Sequence, residues 1–138
     1  KSDVWSCPSY SELSRDAYDC ERWNRLHPEA RPRASHFAQC LEGHDGPVVA
    51  VSEYVRAVAD QVRAFVPEGR RFTALGADGF GRSDTREHLR EFFEIDARWI
   101  AHAAVAALAA DGKMTAKDVA RAIKTWKLDP EKPNPLGV

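Results

Sequence analysis

Apolar residues along this chain fall into two patterns, short unbroken runs and longer stretches with helical spacing. The runs 47–51 (Pro-Val-Val-Ala-Val) and 72–75 (Phe-Thr-Ala-Leu) each predict a strand, and the first should be central because no polar residue interrupts it. Between them, Ser52 precedes residues that are apolar at helical spacing, which predicts a capped amphipathic helix packed on a sheet. These residues are Tyr54, Val55, Val58, Ala59, Val62, Phe65 and Val66. Strand, helix and strand in this order indicate α/β packing with parallel strands.

The first 46 residues carry weaker signals. Residues 4–6 (Val-Trp-Ser) predict a short buried strand that Pro8 ends, because proline has no N–H to donate. Ser11 is the expected cap of a helix that reaches Arg25 and stops at His27 and Pro28. Segment 28–46 should be an irregular connection. Its apolar residues Phe37, Cys40 and Leu41 either enter the core or form a short helix.

Three helices are predicted in the second half of the chain, followed by a proline-rich tail. Asp84 and Glu87 have capping-box spacing, Asp96 begins the alanine-rich stretch 97–110, and Gly112 ends it. A second capping box at Thr115 and Asp118 begins the last helix, which runs to Leu128. The tail, 129–138, holds three prolines and is expected to be extended. We interpret 1–138 as one domain.

Composition narrows the class of protein. The 138 residues are 43% hydrophobic and carry 20 basic against 21 acidic side chains, a formal net charge of -1, so no global field favours nucleic acid or an anionic membrane as a partner. The longest apolar run, 100–110, is much shorter than the roughly 20 residues that cross a bilayer. Three cysteines cannot all pair with one another. We therefore expect a soluble, cytoplasmic chain.

The glycine-rich turn 76–84 is the first candidate for a functional site. Helix N-termini in this position of α/β proteins attract anions. The spacing is not a dinucleotide fingerprint, because Asp84 stands where the third glycine would be, and no Walker lysine follows. The turn therefore has two interpretations, a structural turn or a small-anion site. If the turn is structural, Arg82, Arg86 and Arg90 would pair with carboxylates of an adjoining domain.

Two further groups of residues have both a chemical and a structural interpretation. His36, Cys40 and His44 recur every four residues, with Cys20 and His27 upstream, but no C-x-x-C or H-E-x-x-H unit supports a zinc site. The cysteines are explained equally well as small buried hydrophobes. Cys7 could also be a reactive thiol, but no neighbouring base in the sequence activates it. His102 is interpreted as an interior or interface histidine. In the helix before residue 26, charges alternate in sign around Tyr18 and Trp23, which suits either a solvated face or a docking face. The charged residues are Arg15, Asp16, Asp19, Glu21, Arg22 and Arg25.

Five segments together resemble the closing domain of the homodimeric bacterial pyruvate dehydrogenase (acetyl-transferring) family. They are SDVWS, SELSRDAYDCERWNRLHPEARPR, PVVAVSEYVRAVADQVRAFVP, LGADGFGRSDTREHLREFFEID and the NPL ending. The resemblance implies a transketolase C-terminal domain fold, a three-layer α/β/α sandwich over a mostly parallel, mixed sheet of about five strands. It further implies that the domain opens with a strand and a helix that precede Asp3, so we expect a fragment short of both, which should associate through its open sheet edge.

The family's activity, as the resemblance implies it, is the thiamine-diphosphate-dependent decarboxylation of pyruvate in the pyruvate dehydrogenase complex, between glycolysis and acetyl-CoA. Thiamine diphosphate, Mg²⁺ and the catalytic histidines belong to the two preceding domains in that family. No catalytic, cofactor-binding or metal-binding residue is therefore carried over to this chain. The implied partners are the rest of the parent chain, the second subunit of the homodimer and the dihydrolipoyl acetyltransferase core, with no nucleic acid and no membrane.

Our interpretation is a structural and docking domain that is inactive by itself. The residues expected to contact another domain or partner are Tyr18, Arg22, Trp23, Arg25, Asp78, Phe80, Arg82, Ser83, Asp84 and Arg86. The alternative is a free-standing regulatory α/β module that binds a small anion at the Asp84 helix start.

Overall fold

Six α-helices, two 3₁₀ helices and two β-strands form in the computed structural model, which describes residues 1–138. The α-helices are α1 (Tyr10–Leu26), α2 (His36–Leu41), α3 (Arg56–Asp60), α4 (Arg86–Phe92), α5 (Ala97–Ala110) and α6 (Ala116–Thr125). The strands are β1 (Val48–Val51) and β2 (Phe72–Leu75), and the 3₁₀ helices are Arg63–Phe65 and Pro135–Gly137. The chain divides into two compact units, residues 1–44 with 61–68, and residues 45–60 with 69–138. That all 138 residues form one domain stays a prediction.

The first unit is built on the long helix α1. Its N-cap is Ser9, whose hydroxyl accepts a hydrogen bond from the N–H of Glu12 at 3.2 Å, so the predicted cap at Ser11 is wrong by two residues. The predicted stop at His27 is confirmed. A carboxylate oxygen of Asp16 accepts the N–H of His36 at 2.6 Å and thereby joins the start of α2 to the middle of α1. The short helix predicted as one alternative within 28–46 is confirmed as α2.

The strand predicted at residues 4–6 does not form, and this prediction is wrong. Val4 and Trp5 are exposed, and no strand pairs with them. A strand needs a hydrogen-bonded neighbour, and the two strands of this chain pair with each other. The segment is held by side chains, because Asp3 lies 3.0 Å from Nδ1 of His44 and Trp5 contacts the same imidazole edge-on.

The second unit contains a two-stranded parallel sheet. β1 and β2 pair in register from Val48 with Phe72 to Val51 with Leu75, so both predicted strands are confirmed. Ala50 and Ala74, opposite each other, are buried, while the valines of β1 are only half-buried. The prediction that β1 is a central strand is wrong in this chain, because the sheet has two strands and each of them is an edge strand. The sheet has fewer strands than the resemblance implies, and the α/β fold class is confirmed.

The amphipathic helix predicted behind Ser52 is interrupted. Only residues 56–60 form α3, and 63–65 form a separate 3₁₀ turn. The hydroxyl of Ser52 accepts the N–H of Tyr54 at 3.0 Å, a local turn instead of a helix cap. Tyr54 and Val55 are exposed, so their predicted burial is wrong. Ala59, by contrast, is fully buried as predicted.

Most predicted start signals of the last three helices are confirmed. Asp96 caps α5, Thr115 and Asp118 form the capping box of α6, and Gly112 has the left-handed φ of +71° that was expected after α5. At α4 the cap is Thr85, whose hydroxyl accepts the N–H of His88, and no capping box with Glu87 forms. The predicted cap at Asp84 is therefore one residue too early.

Contrary to the sequence prediction, the tail 129–138 is not extended throughout, because part of it is helical. Leu128 and Pro135 are buried, and the tail ends in the 3₁₀ helix Pro135–Gly137. Asn134 caps this helix by accepting the N–H of Leu136 at 3.0 Å, and proline at its first position is suited to such a turn.

The N-cap of α5 gives a pH-dependent test of this fold. Burial alone raises the pKa of Asp96, but hydrogen bonds from Arg98 and from the N–H of Trp99 outweigh it and hold the pKa below its ordinary value. A depressed folded pKa stabilises the fold above the unfolded pKa, and this stabilisation is lost as pH falls through the folded pKa. We expect Asp96→Asn to lower the free energy of unfolding by about 1 kcal/mol at pH 7, and by less below pH of about 4.

Urea unfolding at pH 7 and pH 3 measures this difference. Asp45→Asn, at an exposed carboxylate without an ion pair, is the matched control and should change little at either pH. An equal loss for Asp96→Asn at both pH values would contradict the assignment.

Candidate docking surface

The turns that follow β1 and β2 meet at the carboxyl edge of the sheet. Gly76 lies against the backbone of the first turn, where an added Cβ would be 2.5 Å from the nitrogen of Arg56 and 2.6 Å from the carbonyl oxygen of Tyr54. That carbonyl accepts the N–H of Ala77 at 2.8 Å. Only glycine allows two backbones to approach this closely.

Asp78 joins the same two turns through its carboxylate. One oxygen accepts the N–H of Arg56 at 3.1 Å, and the other accepts Nε of the same arginine at 2.5 Å. The carboxylate is mostly buried, with 18% of the side chain exposed. Asp78 therefore supplies a hydrogen-bond partner at the start of α3, and its charge is neutralised within the turn.

Gly79 brings the tail to the same place. Its φ is +104°, a backbone conformation that favours glycine, and an added Cβ would overlap the carbonyl oxygen of Pro135. Residues 53–56, 76–80 and 135–138 are thus held together by short backbone contacts. The sequence did not indicate that the tail reaches this turn.

Large apolar side chains are exposed on all three of these segments. Tyr54 is 76% and Phe80 is 77% exposed, and Val55, Leu136 and Val138 are also exposed. We call these five residues the carboxyl-edge surface. Contiguous exposed apolar residues of this size mark interaction sites, and the carboxyl edge of a parallel sheet is the usual place for them in α/β proteins.

The rest of the predicted contact residues in the turn lie beside this surface. The guanidinium of Arg82 stacks over the ring of Phe92 at 4.1 Å, and Ser83 and Arg86 are exposed. Hydrogen bonding by Nε and the terminal nitrogen of Arg90 lowers the pKa of the Glu53 carboxyl. The carboxylate that Arg90 contacts is therefore within this chain and not in an adjoining domain, which corrects one part of the sequence interpretation.

The anion site proposed as the alternative is filled by the chain's own oxygens. The N–H of Thr85 donates to Asp84 at 2.7 Å and lowers the pKa of that carboxyl, with a further contribution from His88. The N–H of His88 donates to the hydroxyl of Thr85. A carboxylate at the helix start repels an anion, so this geometry favours the structural interpretation of the turn.

An open groove of about 720 Å³ lies at the end of β1 and holds several charged residues. Arg98 lies 2.7 Å from Asp96 and 2.9 Å from Glu91, and hydrogen bonds to these two carboxylates raise the pKa of the guanidinium. The two guanidinium groups that line the groove, those of Arg90 and Arg98, are thus paired with carboxylates of the same chain. They are not free to bind an anionic ligand.

In the first unit, the predicted docking face of α1 has a different character. Tyr18 is exposed and contacts Phe65 edge-on at 4.7 Å. Trp23 stacks on His27 at 4.4 Å and carries the guanidinium of Arg33 over its ring at 4.1 Å. Arg22 and Arg25 are exposed without an ion pair. The aromatic residues of this face are therefore largely occupied by their own neighbours, and its use as a docking face stays a prediction.

The candidate metal and thiol residues do not come together as a site. Sγ of Cys40 lies 3.4 Å from Nε2 of His36, but His44 pairs with Asp3, and no three metal-ligating side chains come together. Burial raises the pKa of the Cys7 and Cys20 thiols, which disfavours the reactive thiolate. Nε2 of His102 is buried without a hydrogen-bond partner, and its ring contacts Trp99 edge-on.

Of the predicted contact residues, Phe80 belongs to the carboxyl-edge surface and Asp78 supports it. Four residues of that surface were missed. Tyr54 and Val55 were assigned to a buried helical stripe, and Leu136 and Val138 to an extended tail. The sequence signal that could have located this surface is the pair Gly76 and Gly79. A glycine often stands where another backbone approaches too closely for a Cβ, as it does at both of these positions.

Helices packed with a parallel strand pair define a domain of the α/β class. Residues 1–96 match the transketolase-like C-terminal domain family, and the chain belongs to this family.

Similar proteins are pyruvate dehydrogenase E1 components. The chain is 55% identical over all 138 residues to the one from Cupriavidus necator, 50% over 135 residues to that of Pseudomonas aeruginosa and 48% over 134 residues to that of Escherichia coli K12. It spans 15% of the length of each. The predicted resemblance to the closing domain of this enzyme is confirmed. No helix of the chain is long and apolar enough to cross a membrane.

The close contact at Gly76 predicts an unequal response of two glycines in one turn. Gly76→Ala would force a Cβ into the backbone of residues 54–56 and should lower the free energy of unfolding by about 1–3 kcal/mol. Gly81→Ala is the matched control, because nothing lies within 4 Å of its Cβ position. Urea unfolding of the two variants tests the contact, and equal stabilities would show that the turns do not meet as described.

Proposed function

We propose that this chain is the carboxy-terminal structural and docking domain of a thiamine-diphosphate-dependent pyruvate dehydrogenase. The parent enzyme decarboxylates pyruvate and transfers the acetyl group to a lipoyl group of the acetyltransferase. The names of the similar proteins support the parent activity. The single observation that supports docking is the exposed carboxyl-edge surface, of which Tyr54 and Phe80 are the most exposed members.

The chemistry of this surface suits binding better than catalysis. Its nearest carboxylates, Asp78 and Asp84, already accept hydrogen bonds from Arg56 and Thr85. The residues present do not fit Mg²⁺ and a diphosphate, which require several unpaired oxygens and cationic donors at one point. We therefore assign no cofactor to this chain and propose that the parent's preceding domains hold thiamine diphosphate and Mg²⁺.

Tyrosine and phenylalanine are the residues that interfaces use as anchors. Covering one large apolar side chain contributes about 1.5–3 kcal/mol, so Tyr54 and Phe80 together could stabilise a contact substantially. The backbone contacts of Gly76 and Gly79 fix the backbone that carries these side chains before binding, which reduces the entropy lost on association.

The proposed partners are the remaining domains of the parent chain, the second subunit of a homodimer and the dihydrolipoyl acetyltransferase core, in the cytoplasm. The proposed contacts include the carboxyl-edge surface and, more weakly supported, the α1 face around Tyr18 and Trp23. The exposed Arg82, Ser83 and Arg86 extend the first of these surfaces at its polar rim.

Phe80→Ser in the full-length parent enzyme tests the docking role. We expect at least about a tenfold weaker association with the partner that covers this surface, because the apolar anchor is lost. Phe80→Tyr is the matched control, since it retains the ring and should remain near wild type. Sedimentation at graded concentrations and binding to the acetyltransferase measure the two associations separately.

Equal association of Phe80→Ser and wild type in both measurements would contradict docking of the second subunit and of the acetyltransferase through this surface. The parent activity has its own test, the release of CO₂ from pyruvate with thiamine diphosphate and Mg²⁺. We expect turnover by the full-length enzyme and none by the 138-residue chain. Turnover by the chain alone would contradict the proposed division of labour.

A further inference from the structure

The tail is fastened to the second unit by Lys132. Its ammonium donates to the carbonyl oxygen of Phe92 at 2.5 Å and to that of Glu91 at 3.2 Å. It also lies 3.3 Å from a carboxylate oxygen of Glu94. Nζ is 5.3 Å from the ring centroid of Phe92 and at the same distance from that of Trp99. All three donors of one lysine are thus matched by oxygens, in a side chain of which only 19% is exposed.

The ammonium of Lys132 lies at the C-terminal end of α4, where backbone carbonyl groups attract a cation. The last carbonyl groups of a helix have no partner within the helix, and a cation there also interacts favourably with the helix dipole. Glu94 follows this end with a φ of +62°, which is unusual for a residue with a side chain. Lys132 therefore donates to two carbonyl groups at this helix end and pairs with the carboxylate that follows it.

Three residues beyond this anchor, the tail reaches the carboxyl-edge surface. The cap at Asn134 turns the chain into the 3₁₀ helix, which places the carbonyl of Pro135 against Gly79. Leu136, the next residue, is itself part of the surface. The anchor and the surface are therefore joined by a short, capped segment.

We propose that residues 129–138 form a strap, anchored by Lys132, that holds the turn 76–80 and completes the carboxyl-edge surface. Lys132 is a positioning residue: it touches none of the five residues of the surface and acts through Pro135 and Gly79. When the anchor is released, the turn loses its contact with Pro135, and Leu136 and Val138 leave the surface. The inference rests on the proposed function only in so far as this surface is a docking site.

Hydrogen exchange of backbone amides in the full chain tests the strap. Lys132→Met retains the aliphatic stem but removes the charge and the donors. We expect exchange at Leu136, Gly137 and Ala77 to become roughly tenfold faster. Leu136 and Gly137 bond to Asn134 within the strap, and Ala77 bonds to Tyr54 in the turn that loses its support from Pro135. Lys113→Met, at an exposed lysine on another loop, is the matched control and should leave these rates unchanged.

The strand amides Val48 and Ser52 serve as an internal reference for global unfolding. Faster exchange at the tail and turn with unchanged exchange at the strands supports the strap. Equal acceleration everywhere overturns it, since Lys132 would then only stabilise the fold. Unchanged exchange at Ala77 also overturns it.

Asn134→Ala gives a second variant at an exposed position, should Lys132→Met fail to fold. It removes the cap of the 3₁₀ helix and should accelerate exchange at Leu136 and Ala77 in the same direction, by a smaller factor. Slow, unchanged exchange at Ala77 in this variant would overturn the proposal. These exchange rates are measured on the 138-residue chain without a partner. A negative result in the docking test and a negative result in the strap test can therefore be told apart.

Discussion

The backbone contact between Gly76 and residues 54–56 is the constraint on which the second unit depends. Two parallel strands end side by side, and the chain that leaves each must turn within the same small volume. The missing side chain of Gly76 lets the turns touch, and the carbonyl of Tyr54 then bonds to Ala77 instead of to a helical N–H. The helix after β1 therefore begins late, and Tyr54 points its ring into solvent.

The same constraint explains why large apolar groups are exposed at this edge while two of its carboxylates are already hydrogen-bonded. Asp78 bridges the turns by accepting hydrogen bonds from Arg56, and Asp84 accepts the N–H of Thr85 beside the cap of α4. In the groove next to them, Arg98 pairs with Asp96 and Glu91. An apolar surface with exposed polar residues at its rim favours association over chemistry.

Sequence signals predicted the correct element where neighbouring residues alone determine the conformation. The capping residues Asp96, Thr115 and Asp118 act within one helical turn, and the strands Val48–Val51 and Phe72–Leu75 are short apolar runs between breaks. Their prediction required no knowledge of distant residues. The family resemblance, which rests on several motifs along the whole chain, was also sufficient for the fold class.

Predictions failed where a distant segment decides the local conformation. The spacing of Tyr54, Val58 and Val62 is that of a helix, but the contact from Gly76 overrides it. Residues 4–6 have the composition of a strand and lack a neighbour to pair with. Nothing in the proline-rich tail reveals that Lys132 bonds to carbonyl groups about 40 positions earlier. The carboxyl-edge surface was missed for this reason.

Hydroxyl-radical footprinting tests the central claim most directly, that the carboxyl-edge surface is covered in the assembled protein. The oxidation rates of Phe80 and Tyr54 would be compared between the 138-residue chain and the full-length parent enzyme bound to the proposed acetyltransferase partner, with Trp126 at the end of α6 as the reference ring. The account predicts that both rates fall at least several-fold on assembly while that of the reference changes little. Equal oxidation of Phe80 and Tyr54 in the two samples would contradict it.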